Sequence, residues 1–117
     1  MNVKNIRLIN FRSYNSVGVE FNQNVNVFVG KNAQGKTNLL ESIYMCATGK
    51  SFRTNRDKEI INFQKKEAYI GANIIVGKFD KFIELKLDRE KAKIIRMNKT
   101  ELKNYKELNT GLSVIVF

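Results

Sequence analysis

A chain of 117 residues, 43% of them apolar, is long enough for one domain with a single buried core. Its 21 lysines and arginines exceed its 11 aspartates and glutamates, and the net charge of +10 favours either a polyanionic partner such as nucleic acid or a generally basic surface. The sequence has no membrane-length apolar run, no signal-peptide layout, a single cysteine and no histidine. These features predict a soluble, cytoplasmic protein without membrane association, disulfide or structural metal.

Three stretches near the N-terminus alternate apolar and polar residues with the period of a β-strand. They are "VKNIRLINF" (residues 3–11), "VGVEF" (17–21) and "NVNVFV" (24–29). The pattern predicts three strands before residue 30.

From Lys36 the apolar period becomes that of a helix, with Leu39, Ile43 and Cys46 on one face. Gly49 stands where a helix commonly ends with a residue in the left-handed conformation. The segment therefore predicts a strand, a glycine-bounded loop and a helix ending near Gly49.

The second half of the chain predicts an antiparallel β-meander. Residues 50–64 are polar and predict a loop with one short helical turn at its end. Two alternating stretches then predict a hairpin closed around "GKFDK" (77–81). A third strand in "KAKIIRMN" (91–98), a helical turn in "ELKNYKEL" (101–108) and an apolar strand in "LSVIVF" (112–117) follow. Because that last strand ends the chain without a polar tail, we expect an N-terminal piece of a longer protein with no internal domain boundary.

Gly30, Gly35, Lys36 and Thr37 satisfy the phosphate-loop pattern G-x-x-x-x-G-K-[ST]. The glycines allow backbone N–H groups to turn towards phosphates, the lysine can reach the terminal phosphates, and the threonine hydroxyl can ligate Mg²⁺. The helix that follows adds its N-terminal partial positive charge. A chance match in a glycine-containing turn is the alternative, but the strand before and the helix after favour a nucleotide site.

The choice of nucleotide depends on "NKTE" (98–101), which resembles the guanine-reading element of GTPases. Glu101 replaces the expected aspartate, and the segment falls in a predicted hairpin turn, so ATP is favoured over GTP. Hydrolysis also needs an acidic residue after a second core strand, and the sequence ends before one could follow. The chain by itself is therefore expected to bind ATP without turning it over.

The stretch "GKNAQGKTNLLESIY" (30–44) resembles the RecF family of bacterial DNA-repair ATPases, which are relatives of SMC-type and ABC-type ATPase heads. "IRLINFRSYNS" (6–16) is similar to that family's opening strand, and "GKSFRTNRDKEIINF" (49–63) is similar to its segment after the first helix. The resemblance covers essentially the whole chain. It implies an α/β fold of the P-loop NTPase class: the nucleotide-binding lobe of an ABC-type ATPase head, with an antiparallel β-meander.

The resemblance also implies a function for the longer protein, in which two heads bind ATP between them and close on DNA. Its implied partners are double-stranded DNA and single/double-strand junctions, a second RecF head, recombination mediator proteins and the RecA recombinase. Its implied role is DNA replication, recombination and repair, the SOS response and replication restart, with a weak DNA-dependent ATPase activity. Two alternatives stay open: an SMC-like chromosome ATPase head and an independent phosphate-loop small-molecule kinase.

The resemblance carries particular residues into the predicted ATP·Mg²⁺ site, with Thr37 as the metal ligand. Arg12 is similar to the arginine that reaches the nucleotide phosphates in such heads, or else it is solvated or paired with Glu20. Arg53 and Arg56 either touch DNA phosphates or are solvated loop charges. The lysines from Lys78 to Lys106 either face DNA or keep an outer sheet face soluble. The full set of expected nucleotide-binding residues is Gly30, Lys31, Asn32, Ala33, Gln34, Gly35, Lys36, Thr37, Asn38 and Arg12.

Overall fold

The computed structural model describes residues 2–21, 33–104 and Leu108, and the structural statements below refer to these residues. They form six strands, one α-helix and one 3₁₀ turn in the order β1 (Asn2–Phe11), β2 (Tyr14–Glu20), α1 (Ala33–Thr48), the 3₁₀ turn (Asp57–Glu59), β3 (Glu67–Val76), β4 (Phe79–Asp88), β5 (Ile94–Met97) and β6 (Thr100–Glu101).

The six strands form one antiparallel sheet in the order β2-β1-β3-β4-β5-β6. The predicted meander is therefore confirmed for β3, β4 and β5. Because side chains alternate across a strand, one face of the sheet carries the apolar set and packs against α1. The strand residues buried on that face are Ile6, Leu8, Ala68, Ile70, Ala72, Ile74, Ile83, Leu85, Leu87 and Ile95.

Helix α1 ends as predicted but begins earlier. Gly49 has φ +80° and its N–H donates to the Met45 carbonyl at 2.7 Å, which is the left-handed helix ending that the sequence indicated. The helix starts at Ala33, three residues before Lys36, so the second half of the phosphate-loop pattern already belongs to it. Leu39 and Cys46 are buried in the core, as predicted.

The short turns of the second half differ in part from prediction. Gly77, with φ +61°, closes the β3–β4 hairpin in a two-residue turn. Residues 98 and 99 both have positive φ and form the β5–β6 hairpin turn, which confirms the interpretation of "NKTE" as a plain turn. The expectation of a helical turn from Glu101 was wrong at its start, because Glu101 lies in β6 and pairs with Arg96 of β5. The predicted strands at 24–29 and 112–117 lie outside the described residues.

The lysines from residue 78 onward do not share one face of the sheet. Lys78 lies in the β3–β4 turn, Lys81 lies on the same face as buried Ile83, and Lys86 lies on the opposite face. There its amino group lies 3.6 Å from a carboxylate oxygen of Glu67. The described sheet therefore does not present these lysines as one continuous basic surface, and Lys106 lies outside the described residues.

Cys46 is buried against the sheet, and this burial raises the pKa of its thiol to about 12. We expect a disulfide reagent at pH 8 to modify the folded chain at least about 100-fold more slowly than the urea-unfolded chain, since the thiolate is the reactive form. In the unfolded chain the thiol ionises from about pH 8.5 upward. The contribution of the buried Cys46 thiol to the free energy of unfolding is therefore fully present below that pH and falls as pH rises towards 12. Cys46→Ala should lack this fall. Equal modification rates in the two states would contradict this burial.

The described part of the chain contains no helix that is both long enough and apolar enough to cross a membrane.

Candidate nucleotide-binding site

The first turns of α1 lie against the turn between β1 and β2. The Tyr14 hydroxyl donates to the Gly35 carbonyl at 3.0 Å. A Cβ atom placed on Gly35 would lie 2.9 Å from the same hydroxyl oxygen, closer than side chains tolerate. Glycine at this position of the phosphate-loop pattern therefore also permits the close approach of Tyr14.

A buried carboxylate joins α1 to this turn. The Glu41 side chain is 0% exposed and accepts two hydrogen bonds from Arg12, from Nε at 2.9 Å and from Nη2 at 2.8 Å. The Ser51 hydroxyl donates to Glu41 Oε2 at 2.5 Å. Arg12 Nη1 also donates to the Glu59 carbonyl at 3.0 Å. A paired arginine and several hydrogen bonds are what a buried carboxylate requires, and these contacts satisfy both oxygens of Glu41.

A second arginine completes the cluster. Arg53 Nη1 donates to Asn38 Oδ1 at 2.7 Å and lies 3.4 Å from Glu41 Oε1. Asn38 is itself buried, one residue after Thr37. The cluster therefore holds two guanidinium groups against one carboxylate, and the surplus positive charge lies beside the first turns of α1. An anionic ligand would balance this charge.

The backbone after the 3₁₀ turn is fastened to the end of β1. The Arg12 N–H donates to the Ile60 carbonyl and the Asn62 N–H donates to the Asn10 carbonyl, each at 2.7 Å. Arg12 has φ +51°, a left-handed conformation that costs about 1 kcal/mol or more in a residue with a side chain. This conformation is maintained where Arg12 meets both Glu41 and the 58–63 loop.

A cavity of about 520 Å³ opens between these elements. Its lining includes Arg12 and Asn38 from the cluster, and Ile61 and exposed Phe63 from the loop. The volume is in the range of small-molecule sites, and the lining combines charged groups with an apolar and aromatic wall. It can accept a ligand that has both an anionic part and a flat apolar part.

Arg89, the residue that follows β4, holds the outer wall of this cavity in place. Its Nε donates to the Lys65 carbonyl at 2.6 Å and its Nη2 to the Asn62 carbonyl at 3.2 Å. The guanidinium also reaches two more carbonyls of the same loop at 3.4 Å. Four carbonyls around one guanidinium fix the loop that carries Phe63, and Arg89 itself lines the cavity.

The structure brings together part of the predicted site. Gly35, Lys36, Thr37 and Asn38 occupy the first turns of α1, with Lys36 exposed. Arg12 lies in the same place but pairs with Glu41, not with Glu20 as the sequence alternative had it. Ala33 and Gln34 belong to the start of α1, whereas Gly30, Lys31 and Asn32 lie outside the described residues.

Three contributors were missed by the sequence analysis: Tyr14, Glu41 and Arg89. A signal for Glu41 does exist, because Asn38, Glu41, Ser42 and Met45 are spaced as one helix face and all four are buried. A polar stripe on a buried helix face indicates a network of buried hydrogen bonds. Arg89 had no comparable signal, since its partners are backbone carbonyls.

Comparison with known protein families gives a match over nearly the whole chain. The model of the AAA domain family matches residues 5–115. Among curated proteins, the DNA replication and repair protein RecF of Clostridium kluyveri is 48% identical over 117 residues, covering all of this chain and 32% of the relative. The protein of the same name from Clostridioides difficile is 48% identical over 119 residues, covering all of this chain and 31% of the relative. The chain thus spans about a third of the length of the curated relatives it matches.

Solved structures agree with this result. The recombination mediator protein RecF-ATPrS of the RecFOR pathway matches with a TM-score of 0.85 and 33% identity, over 92% of this chain and 29% of that one. The SMC head domain from Thermotoga maritima matches with a TM-score of 0.74 and 18% identity, over 97% of this chain and 43% of that one. The second likeness shows a shared fold only. The predicted P-loop ATPase fold and the resemblance to RecF are both confirmed.

Proposed function

Because this chain belongs to the AAA domain family and is similar to RecF proteins along its whole length, we propose that it is the ATP-binding lobe of a RecF-type DNA repair protein. The observation that carries the proposal is the surplus positive charge of the Arg12–Glu41–Arg53 cluster beside the first turns of α1. Lys36 is exposed in the first of these turns, where its amino group can reach the terminal phosphates. The cavity beside the cluster would hold the rest of the nucleotide, and the Phe63 ring would stack against the flat face of the base.

Magnesium fits the same arrangement. Thr37 follows Lys36 on α1, and a threonine hydroxyl at this position of the phosphate loop is an oxygen ligand of the kind that Mg²⁺ prefers. When bound, Mg²⁺ would neutralise part of the phosphate charge. Thr37 and the nucleotide phosphates would hold it here. Arg12 supplies a second cation near them, with its guanidinium fixed by Glu41.

For the longer protein we propose ATP-dependent pairing with a second head and binding of DNA at gaps and junctions. This activity would support recombination mediator proteins in loading the RecA recombinase in the cytoplasm. Support comes from the names and nucleotide state of the relatives, RecF and RecF-ATPrS. The SMC alternative has weaker support, since the SMC head from Thermotoga maritima shares 18% identity with this chain against 33% for RecF-ATPrS. Nothing in the described residues favours a small-molecule kinase.

The test is to measure the equilibrium binding of ATP and GTP to the chain by calorimetry, with and without Mg²⁺. We expect ATP to bind more tightly than GTP and Mg²⁺ to strengthen binding. Lys36→Ala should weaken ATP binding by about 30-fold or more, because it removes a charge-assisted contact worth roughly 2 kcal/mol. Its circular dichroism spectrum should be unchanged, since an exposed lysine contributes little to the core. We expect ATP incubated with the chain alone to release no phosphate.

The matched control is Lys78→Ala, which removes another exposed lysine from the β3–β4 turn. Ten residues of β3 separate that turn from the end of the sheet where Arg12 lies, a distance of about 30 Å. Its ATP affinity should equal that of the unmodified chain. Equal loss in both variants, or ATP binding that survives Lys36→Ala, would refute the assignment of this site.

A further inference from the structure

A second cavity, of about 490 Å³, lies beyond the C-terminal end of α1 and is separate from the candidate nucleotide cavity. Its cationic lining residues come from two parts of the chain: Lys50 and Arg53 follow α1, and Lys93 precedes β5. Ser51, Thr54 and Asn55 add polar groups. We call this cavity the Lys50 pocket. Of these residues, only Ser51 and Arg53 also contact Glu41 in the nucleotide site described above.

The charge in and behind the Lys50 pocket is unbalanced. Lys93 lies 3.6 Å from Asp57, the one acidic side chain among the described lining residues. Arg53 shares Glu41 with Arg12, which already binds both carboxylate oxygens. Lys50 is exposed at the rim. Four cations therefore face two carboxylates, and an anion in the pocket would gain from the surplus positive charge.

The walls of the Lys50 pocket are ordered by their own contacts. The Ser51 hydroxyl donates to Glu41. Its oxygen also accepts hydrogen bonds from the backbone N–H groups of Arg53 at 2.9 Å and Thr54 at 3.3 Å. Phe52 packs edge-on against Tyr44 of α1, with ring centroids 5.4 Å apart. The guanidinium of Arg53 and the amino group of Lys93 are thus positioned before any ligand arrives, which reduces the entropy cost of binding.

We propose that the Lys50 pocket binds a phosphate group of the double-stranded DNA backbone. The inference rests on the proposed role in DNA repair and adds to it the place where the duplex touches this lobe. A backbone phosphate is favoured over a free phosphate ion because the pocket opens at the surface of a chain whose net charge is +10, which attracts a polyanion along its length. Lys50 at the rim provides the exposed contact, and Arg53 provides the fixed one.

The experiment measures binding of a fluorescently labelled short duplex to the whole chain by anisotropy across a salt series. Lys50→Glu should weaken the affinity at least about fivefold and lower the slope of log Kd against log salt by about one, because one phosphate contact is lost. The matched control, Lys78→Glu, makes the same charge change at the far end of the sheet and should change the affinity less than twofold. ATP binding by Lys50→Glu should be unchanged.

Three outcomes would overturn the proposal. Equal effects of the two charge reversals would indicate only general electrostatic attraction. An unaffected Lys50→Glu variant, or no duplex binding by the unmodified chain, would remove the pocket as a DNA site while leaving the ATP result intact. Displacement of the duplex by inorganic phosphate, beyond that caused by chloride at equal ionic strength, would assign the pocket to a free phosphate ion instead.

Discussion

Glu41→Ala is expected to lower the free energy of unfolding by about 3 to 5 kcal/mol. The carboxylate is 0% exposed, and its removal leaves two arginines that are only 18% and 26% exposed without their shared partner. Unpaired charges in such positions cost more than the pair itself contributes. Urea unfolding followed by circular dichroism measures the change. The free energy of unfolding of Glu41→Gln should lie between those of the unmodified chain and Glu41→Ala. Glutamine keeps an acceptor oxygen but presents an amide group to a guanidinium.

The control for this prediction is Glu90→Ala, which removes an exposed carboxylate after β4 and should change stability by no more than about 0.5 kcal/mol. In the Arg12→Ala background the effect of Glu41→Ala should be smaller than in the unmodified chain, since contacting residues are not additive. A full-sized loss in both backgrounds would show that Glu41 stabilises the fold independently of Arg12.

Phe11→Ala is expected to cost about 3 to 5 kcal/mol, the range for deleting a fully buried aromatic ring. Phe11 is 0% exposed, is the last residue of β1 and forms a bridge with Ile61. The cavity left by the ring would lie directly behind the residues that fasten Arg12 and the 58–63 loop. We therefore expect weaker ATP binding as well as lower stability, measured by calorimetry and urea unfolding at a temperature where the variant remains folded.

Phe79→Ala is a control of the same chemistry. Its ring is 71% exposed at the start of β4, so the same deletion there should change stability by less than about 0.5 kcal/mol. A small loss for Phe11→Ala, comparable with that of Phe79→Ala, would mean that the end of β1 rearranges to fill the space. The wall of the nucleotide cavity would then be less dependent on β1 than the structure indicates.

The sheet and the end of α1 could be predicted because their signals are local. The alternation of apolar and polar residues in β1, β3 and β4 indicates burial on one face of the sheet. Gly49 indicates the left-handed residue that ends the helix. The start of α1 was placed three residues late because the phosphate-loop glycines and polar residues carry no apolar period. The sequence pattern from Glu101 onward predicts a helical turn, but Glu101 pairs with β5 in the hairpin at 98–101. A local pattern does not report such strand pairing, because it is a tertiary contact.

The site was predicted less completely because its decisive contacts are long-range. Arg12 and Glu41 are 29 residues apart, and Arg53 and Asn38 are 15 apart, so no local period connects them. The sequence offered Arg53 as a DNA contact or a solvated charge and gave no indication that its guanidinium contacts Asn38 and Glu41. The helix spacing of Asn38, Glu41 and Ser42 indicates a polar network, but it does not identify the arginines that pair with Glu41.

The two-residue turn at Gly77 and Lys78 is a suitable place to attach a fluorescent dye. The turn lies at the end of the sheet farthest from Arg12, and the protein's single cysteine is buried with its thiol protonated. Lys78→Cys would therefore give one reactive thiol for a dye, far from the candidate nucleotide site. A second copy carrying the complementary dye would test the proposed head pairing, because pairing on addition of ATP would produce an energy-transfer signal.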